Sequence, residues 1–234
     1  MIALSDVTHE VVRYDRRVPV LAGASFAFDR RRMGLIGPWE DQIGALLDLL
    51  AGYRLPGEGT VTRFGRVSWP IGRLVQFRSE LTGRDTVRFI SQLYALDYEK
   101  CEQLLFELID FEHFYDFSIA EWPRLLNVKF GQAAVLLPDF DIYLAESSLI
   151  VSDDDFMAKW LPRFNERLQS RQLIMACGQA VYLRRFCRSV AVLKGGRLAC
   201  YPSVDSAFEA IAWVEPQRLD ERIVDAAPVA EDEL

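Results

Sequence analysis

The chain has 234 residues, half of them hydrophobic, which suits one large domain or two small lobes and argues against wholesale disorder. Its formal net charge is −7, and residues 215–234 hold seven acidic residues against two arginines, which reads as a solvated acidic tail. The rest is close to neutral with no basic stripe, so a nucleic-acid binder is not expected. Cys101, Cys177, Cys187 and Cys200 form no C-x-x-C pair, and His9 and His113 are the only histidines, so neither a metal site nor a disulfide framework is expected. The opening MIALSDVTHE has no charged leader, and no run of ~18 apolar residues follows. The chain is expected to reach a membrane only by binding something in it.

In chain order, residues 2–4, 11–14, 24–28 and 32–36 are short strand candidates separated by polar turns. A helix over 46–51 ends at Gly52, a C′ position. Pro56-Gly57-Glu58-Gly59 is a turn between it and strands over 60–62 and 67–69. Thr82-Gly83-Arg84-Asp85 fits a T-x-x-D capping box, and Val87, Ile90, Leu93 and Tyr94 then recur at helical spacing. Further helices are expected over 99–109 and 124–137, making about 80–135 a helical insert. Alternation returns with a strand at 142–144, a helix over 153–169 capped by Ser152 and kinked or split by Pro162, and a strand at 173–177. A helix over 180–187, a strand over 189–194, a Gly195-Gly196 hairpin into 197–201 and a last helix over 204–213 complete the pattern. The order is an α/β core with a helical lobe grafted in.

Particular residues narrow this. Gly34-Leu35-Ile36-Gly37 ahead of a helix ending Leu50-Ala51-Gly52 has the surround of a phosphate-binding loop. Ser68-Trp69-Pro70-Ile71-Gly72, then Leu81-Thr82-Gly83-Arg84-Asp85, then Phe140-Asp141-Ile142-Tyr143-Leu144, then Val204-Asp205-Ser206-Ala207 after a Gly-Gly-Arg hairpin, run together over about 2–213. In these stretches the chain resembles an ATP-binding cassette (ABC) ATPase domain of the kind that drives capsular polysaccharide export. The resemblance implies a P-loop NTPase-like cassette over 1–214, with an N-terminal antiparallel β subdomain and a helical subdomain insert.

Laid on that pattern, the framework matches while the catalytic positions do not. A phosphate loop needs glycine backbone N–H groups to cradle phosphates, a lysine to neutralise them and a hydroxyl for Mg²⁺. Gly37 keeps the first glycine, but Trp39, Glu40, Asp41 and Gln42 follow, Ile43 takes the lysine position, and Gly44 and Ala45 take the hydroxyl positions. The Q-loop glutamine matches Arg78, with Gln76 two residues earlier; the signature Ser-Gly matches Arg124-Leu125; the magnesium-binding Asp matches Glu146; the general base matches Ser147; the switch histidine matches Gly178. Tyr14 is the remaining candidate for an adenine-stacking ring. The reading is therefore a cassette that does not hydrolyse ATP and carries no cofactor. It is expected at the cytoplasmic face of the inner membrane, docking on an ABC-type membrane exporter subunit or an active ABC ATPase, as a homo- or heterodimer. Phe77, Leu81, Phe89 and Tyr94 are the candidate docking residues, core packing being the plainer account of Phe89 and Tyr94.

The alternatives are explicit. An atypical exporter ATPase would use Glu146 for Mg²⁺ and Gln76 for the Q-loop, with ATP as cofactor. A module that has left transport would bind another ligand in the old cleft, unless Trp39 and Ile43 fill it. Glu40, Asp41 and Glu146 read as solvated carboxylates rather than a cation site. Arg30-Arg31-Arg32 and Arg184-Arg185 read as solvated faces, with headgroup contact as the minor reading.

Overall fold

The fold is that of a computed structural model, which describes residues 1–13, 15–73, 80–146 and 149–212. The expected Tyr14, Gln76, Phe77, Arg78, Ser147 and acidic-tail positions lie outside the described residues.

The chain opens with a long antiparallel hairpin, β1 (Ile2–Arg13) and β2 (Arg16–Phe28), not with short separate strands. The polar residues that suggested turns sit at irregularities within the ladder, where the β1–β2 register shifts between Leu4 and Val7, Val7 and His9, and His9 and Glu10. Asp6 takes a positive φ of 50° there. Such bulges absorb extra residues without ending the pairing. With β4 (Glu58–Arg63) these strands form a three-stranded sheet in the order β2-β1-β4.

Among the described residues the second sheet has six strands. β3 (Arg32–Ile36), β5 (Val67–Ile71), β6 (Ile142–Glu146), β7 (Gln172–Ala176) and β8 (Ser189–Lys194) run parallel in the order β5-β6-β7-β3-β8, and β9 (Arg197–Tyr201) closes antiparallel on β8. Pro70 is tolerated because β5 is an edge strand. At the irregular register between Val67 and Pro70, the Leu144 N–H donates to Ser68 Oγ at 2.9 Å instead of to a backbone carbonyl. This explains the Ser-Trp-Pro stretch physically.

Helix α1 (Glu40–Ala51) fills the space between the two sheets. Leu46, Leu47, Leu49 and Leu50 pack with Ile2, Leu4 and Phe28 of the first sheet and with Ile142, Leu144 and Ile174 of the second. The helix begins six residues earlier than its apolar run suggested, because Glu40 and Asp41 are favourable in a first helical turn. It ends as expected at Gly52, with φ 87°. Arg63 of β4 donates from Nε to the Leu50 carbonyl at 2.8 Å, placing a cation on the helix C-terminus.

The opposite face of the parallel sheet carries the other helices. Tyr143 and Ala145 of β6 point there, while Ile142 and Leu144 point to α1, the period-two alternation of a strand buried on both sides. The insert contains α2 (Gly83–Leu93), α3 (Tyr98–Leu108), two short 3₁₀ turns at Glu112–Phe114 and Ile119–Glu121, and α4 (Arg124–Ala134). Thr82 caps α2 as expected, its Oγ1 accepting from the Asp85 N–H at 3.0 Å. A Cβ on Gly83 would lie 2.7 Å from the Trp122 ring, so that helix start requires glycine.

Helix α5 (Asp154–Arg167) is capped by Asp153, not Ser152, and runs through Pro162 as one helix. Phe156, Trp160 and Phe164 are all buried along one stripe, and Trp160 Nε1 donates to the Gln132 carbonyl at 2.7 Å. Anchoring on both sides of the proline outweighs the lost helical bond. Helices α6 (Ala180–Phe186) and α7 (Val204–Ala212) complete the layer. Among the described residues no helix is long and apolar enough to cross a membrane.

Candidate functional site

Parallel α/β sheets gather ligand sites at the carboxyl ends of their strands. Here β3, β5, β6 and β7 end around one cleft of about 390 Å³, lined among others by Gly37, Trp39, Glu40, Ile43, Gly72, Arg73, Glu146, Cys177 and Gly178. Six positions singled out from the sequence therefore do come together: Gly37, Trp39, Glu40 and Ile43 from the loop and the start of α1, Glu146 from the end of β6, and Gly178 just after β7.

The loop between β3 and α1 is short. Helix α1 already begins at Glu40, and the Ile43 N–H donates to the Trp39 carbonyl at 3.1 Å. Residues that an open loop would present are thus wound into a helical turn. Trp39 is the N-cap residue and makes no side-chain cap bond. The Ile43 side chain folds over Gly37, where an added Cβ would lie 2.7 Å from Ile43 Cδ1 and 3.2 Å from Leu193 Cβ. Gln42 points away from the cleft, its Nε2 donating to the Pro19 carbonyl of β2 at 2.9 Å. Asp41 is exposed at the helix start and accepts from the Gln42 N–H. Ala45 is buried against α1's sheet partners, while Gly44 faces Glu146, 3.6 Å from its Oε1 to a Cβ built there. Trp39 and Ile43 line the cleft without filling it, so they do not meet the condition that would have closed it to another ligand.

The cleft's centre is a residue the sequence reading passed over. Arg73 lies two residues past β5, after Gly72, and donates from Nε to Glu146 Oε2, from Nη1 to Asp48 Oδ1 at 2.5 Å, and from Nη2 to the Gly44 carbonyl at 3.1 Å. One guanidinium thus ties the ends of β5 and β6 to α1. The three side chains are 25%, 29% and 15% exposed, so the network is partly shielded from water. Burial works against the charged guanidinium, yet its bonds to Glu146 and Asp48 outweigh this and hold its pKa above the ordinary arginine value. The available signals were modest. Asp48 is the only charge in an apolar helical run and stands four residues from Gly44, on the same helix face. Arg73 comes two residues after a strand end, next to Gly72.

Cys177, also at the cleft, is a thiol pushed up in pKa by burial. Cys187, deeper below, is pushed up by burial to about 12. Among the described residues, no group of three or more His, Cys, Asp or Glu is placed to hold a metal ion.

The other expected positions fall elsewhere. Arg124 and Leu125 form the exposed start of α4, behind Pro123, which offers no side-chain cap. Tyr94 is half-buried and meets Phe140 edge-on at 5.5 Å, so it is a packing residue. Leu81 is half-buried. Phe89 is 56% exposed, and Leu93, one turn further along the same face, is 61% exposed.

These elements, in this order and with this insert, define the fold of an ABC ATP-binding cassette. The ATP binding subunit of an ABC transporter superposes with a TM-score of 0.72, covering 91% of this chain and 99% of that one at 18% identity. A dimeric post-hydrolysis state of the cassette MJ0796 bound to ADP and Pi gives 0.69, covering 87% and 99% at 13% identity. Among curated proteins the chain is similar to the capsule polysaccharide export ATP-binding protein CtrD of Neisseria meningitidis serogroup B. The two are 23% identical over 210 residues, 89% of this chain and 97% of CtrD. It is also similar to the ATP-binding protein BexA of Haemophilus influenzae, 24% identical over 191 residues, 81% of this chain and 88% of BexA. The polysialic acid transport ATP-binding protein KpsT of Escherichia coli is 26% identical over 198 residues, 83% of this chain and 85% of KpsT. No protein-family model matches the chain.

Proposed function

We propose that this chain is a cassette-type subunit of a capsular polysaccharide export system that does not hydrolyse ATP and acts by docking on a membrane exporter or an active cassette. The observation that carries this is the Arg73 network. Magnesium ATP fits these residues poorly. Glu146, the carboxylate at the magnesium-binding position, already has a cation, and all three nitrogens of Arg73 are engaged, with Glu146, Asp48 and the Gly44 carbonyl. Residues 37–45 contain no lysine, serine or threonine. Glu40 stands at the cleft instead, and a carboxylate about 4 Å from a phosphate charge repels it by ~4 kcal/mol at an effective dielectric of ~20. No catalytic step is derived through the nucleotide.

On this reading the subunit sits at the cytoplasmic face of the membrane, and Phe89 with Leu93 offers an apolar contact for its partner. Calorimetric titration of MgATP into the full chain checks the first half: no saturable heat is expected at ~100 μM ligand, about five orders above nanomolar binding. Micromolar affinity that disappears in Glu146→Ala would sink it.

The second reading, an ATP-binding subunit that energises export, has its own support. CtrD, BexA and KpsT all carry ATP-binding in their names. The cleft of about 390 Å³ also stays open beside Glu146. Under it Arg73 releases Glu146 when nucleotide arrives, and MgATP titrates.

A further inference from the structure

At the opposite end of the parallel sheet from the cleft lies a hollow of about 540 Å³ that the cassette reading leaves unused. Arg30, Arg31 and Arg32 enter it from the start of β3, Arg188 and Ser189 from the start of β8, and Cys200 from β9. Their backbones are held by the sheet. The Arg31 carbonyl accepts from the Leu173 N–H at 2.8 Å, and the Arg32 carbonyl accepts from the Arg188 N–H at 3.0 Å. Four arginines therefore line one concavity from backbone held by the sheet, in a chain whose net charge is −7.

Little on the protein balances them. Arg30 has an exposed partner, Asp29, at 3.5 Å. Arg32 donates to the Leu168 carbonyl at 3.4 Å, a neutral group. Arg31 and Arg188 have no ion-pair partner among the described residues. Burial, then the neighbouring Arg188, lower the pKa of Arg32, the signature of positive charges held close together. A second, independent feature points the same way. Ser189 is only 9% exposed, and its buried Oγ has no hydrogen-bond partner among the described residues. A buried hydroxyl is ordinarily satisfied, so an unpaired one beside a charged hollow lacks an acceptor.

The geometry points to a binding site for a phosphate-bearing ligand, a diphosphate or phosphomonoester group held by Arg31 and Arg188 with Ser189 Oγ donating. Guanidinium forks match phosphate oxygens two at a time, and a hydroxyl completes the set. A volume of about 540 Å³ has room for more than one phosphate, whether from a phosphorylated solute or a lipid headgroup. This inference is independent of what the nucleotide cleft does.

The test uses the full chain and has a readout at the site itself. Cys200 is exposed and borders the hollow, so its alkylation by iodoacetamide, followed by peptide mass spectrometry, reports occupancy. Inorganic pyrophosphate is titrated by calorimetry at low salt. A parallel arm floats the protein with vesicles of phosphatidylcholine and phosphatidic acid. Pyrophosphate, or the vesicles, should bind, slow Cys200 alkylation, and lose affinity at higher salt. In Arg31→Gln/Arg188→Gln, where both positions are exposed and the fold is not at stake, binding should fall at least about tenfold. Arg17→Gln, an exposed arginine on β2, should bind as the wild type does. The arm that responds names the source, free phosphate compound or headgroup. Binding of neither probe, binding that the double variant retains, or binding that leaves Cys200 unprotected overturns the site.

Discussion

Arg73 illustrates how one side chain settles the character of a cleft. Its guanidinium stands between Glu146 and Asp48, two carboxylates on different elements. Removing it leaves them facing each other in a partly shielded space. Breaking a buried pair costs more than the pair contributes, but partial exposure lowers the penalty. Arg73→Ala should therefore lower unfolding stability by about 2 kcal/mol in urea denaturation. Arg73→Ala/Glu146→Gln should recover part of that loss, since one stranded charge is gone. Equal stability of Arg73→Ala and wild type would show the network to be ornamental. His9 gives a pH-dependent counterpart. Burial first, then Arg54, lowers its pKa from 6.5, so the folded chain keeps it neutral. Its contribution is complete above pH 6.5 and is lost as pH falls through the lowered folded value, because the unfolded chain takes up the proton first. Melting temperature should fall between pH 7.5 and the acid side of that window, and His9→Gln should fall less.

Helix α2 shows how an element carries two separate kinds of information. Its start is local chemistry: the Thr82 cap and the glycine beneath Trp122. Thr82→Ala should cost about 1 kcal/mol, read from the shift in the denaturation midpoint. Its two faces are a tertiary matter. Val87 and Ile90 are buried while Phe89 and Leu93 are exposed, although all four are large and apolar. Phe89→Asp/Leu93→Asp should leave stability within about 0.5 kcal/mol of wild type, since neither side chain is buried. The same variant should lower capture of the membrane exporter from gentle detergent. Unchanged capture would place the docking surface elsewhere. Tyr94, expected on that surface, lies against Phe140 instead, so its substitution should cost stability.

At the scale of the whole molecule, the question is whether nucleotide stabilises the native state. A ligand at a hundred times its dissociation constant adds about 2.7 kcal/mol, which for a chain this size moves the melting temperature by roughly 5–10 °C. Under the proposed function, millimolar MgATP leaves the melting curve in place. A clear upward shift, abolished in Glu146→Ala, would favour the second reading. The frame itself does not depend on that outcome. Two cores, one on each face of the parallel sheet, hold the cleft's walls from four different strands and one helix.

Much of that frame was legible in the residues alone. The order of elements, the Thr82 cap, the Gly52 terminus and the helical insert all follow from local signals, because caps, glycines and apolar spacing act over a few residues. The resemblance to capsular polysaccharide export cassettes rested on such local stretches too, and the relatives and structural neighbours agree with it. Local signals failed where long-range packing overrode them. Bulges joined the opening strands into a hairpin, two carboxylates extended α1, and aromatic anchors carried α5 through Pro162. The loop residues Gly37 to Ala45 could be named in advance, since they are contiguous. Arg73 could not be paired with Glu146 and Asp48, which stand 73 and 25 residues away, nor could Arg30–32 be joined to Arg188 and Ser189. Sequence determined which elements form; only the parallel sheet, by bringing distant strand ends side by side, decided which charges meet.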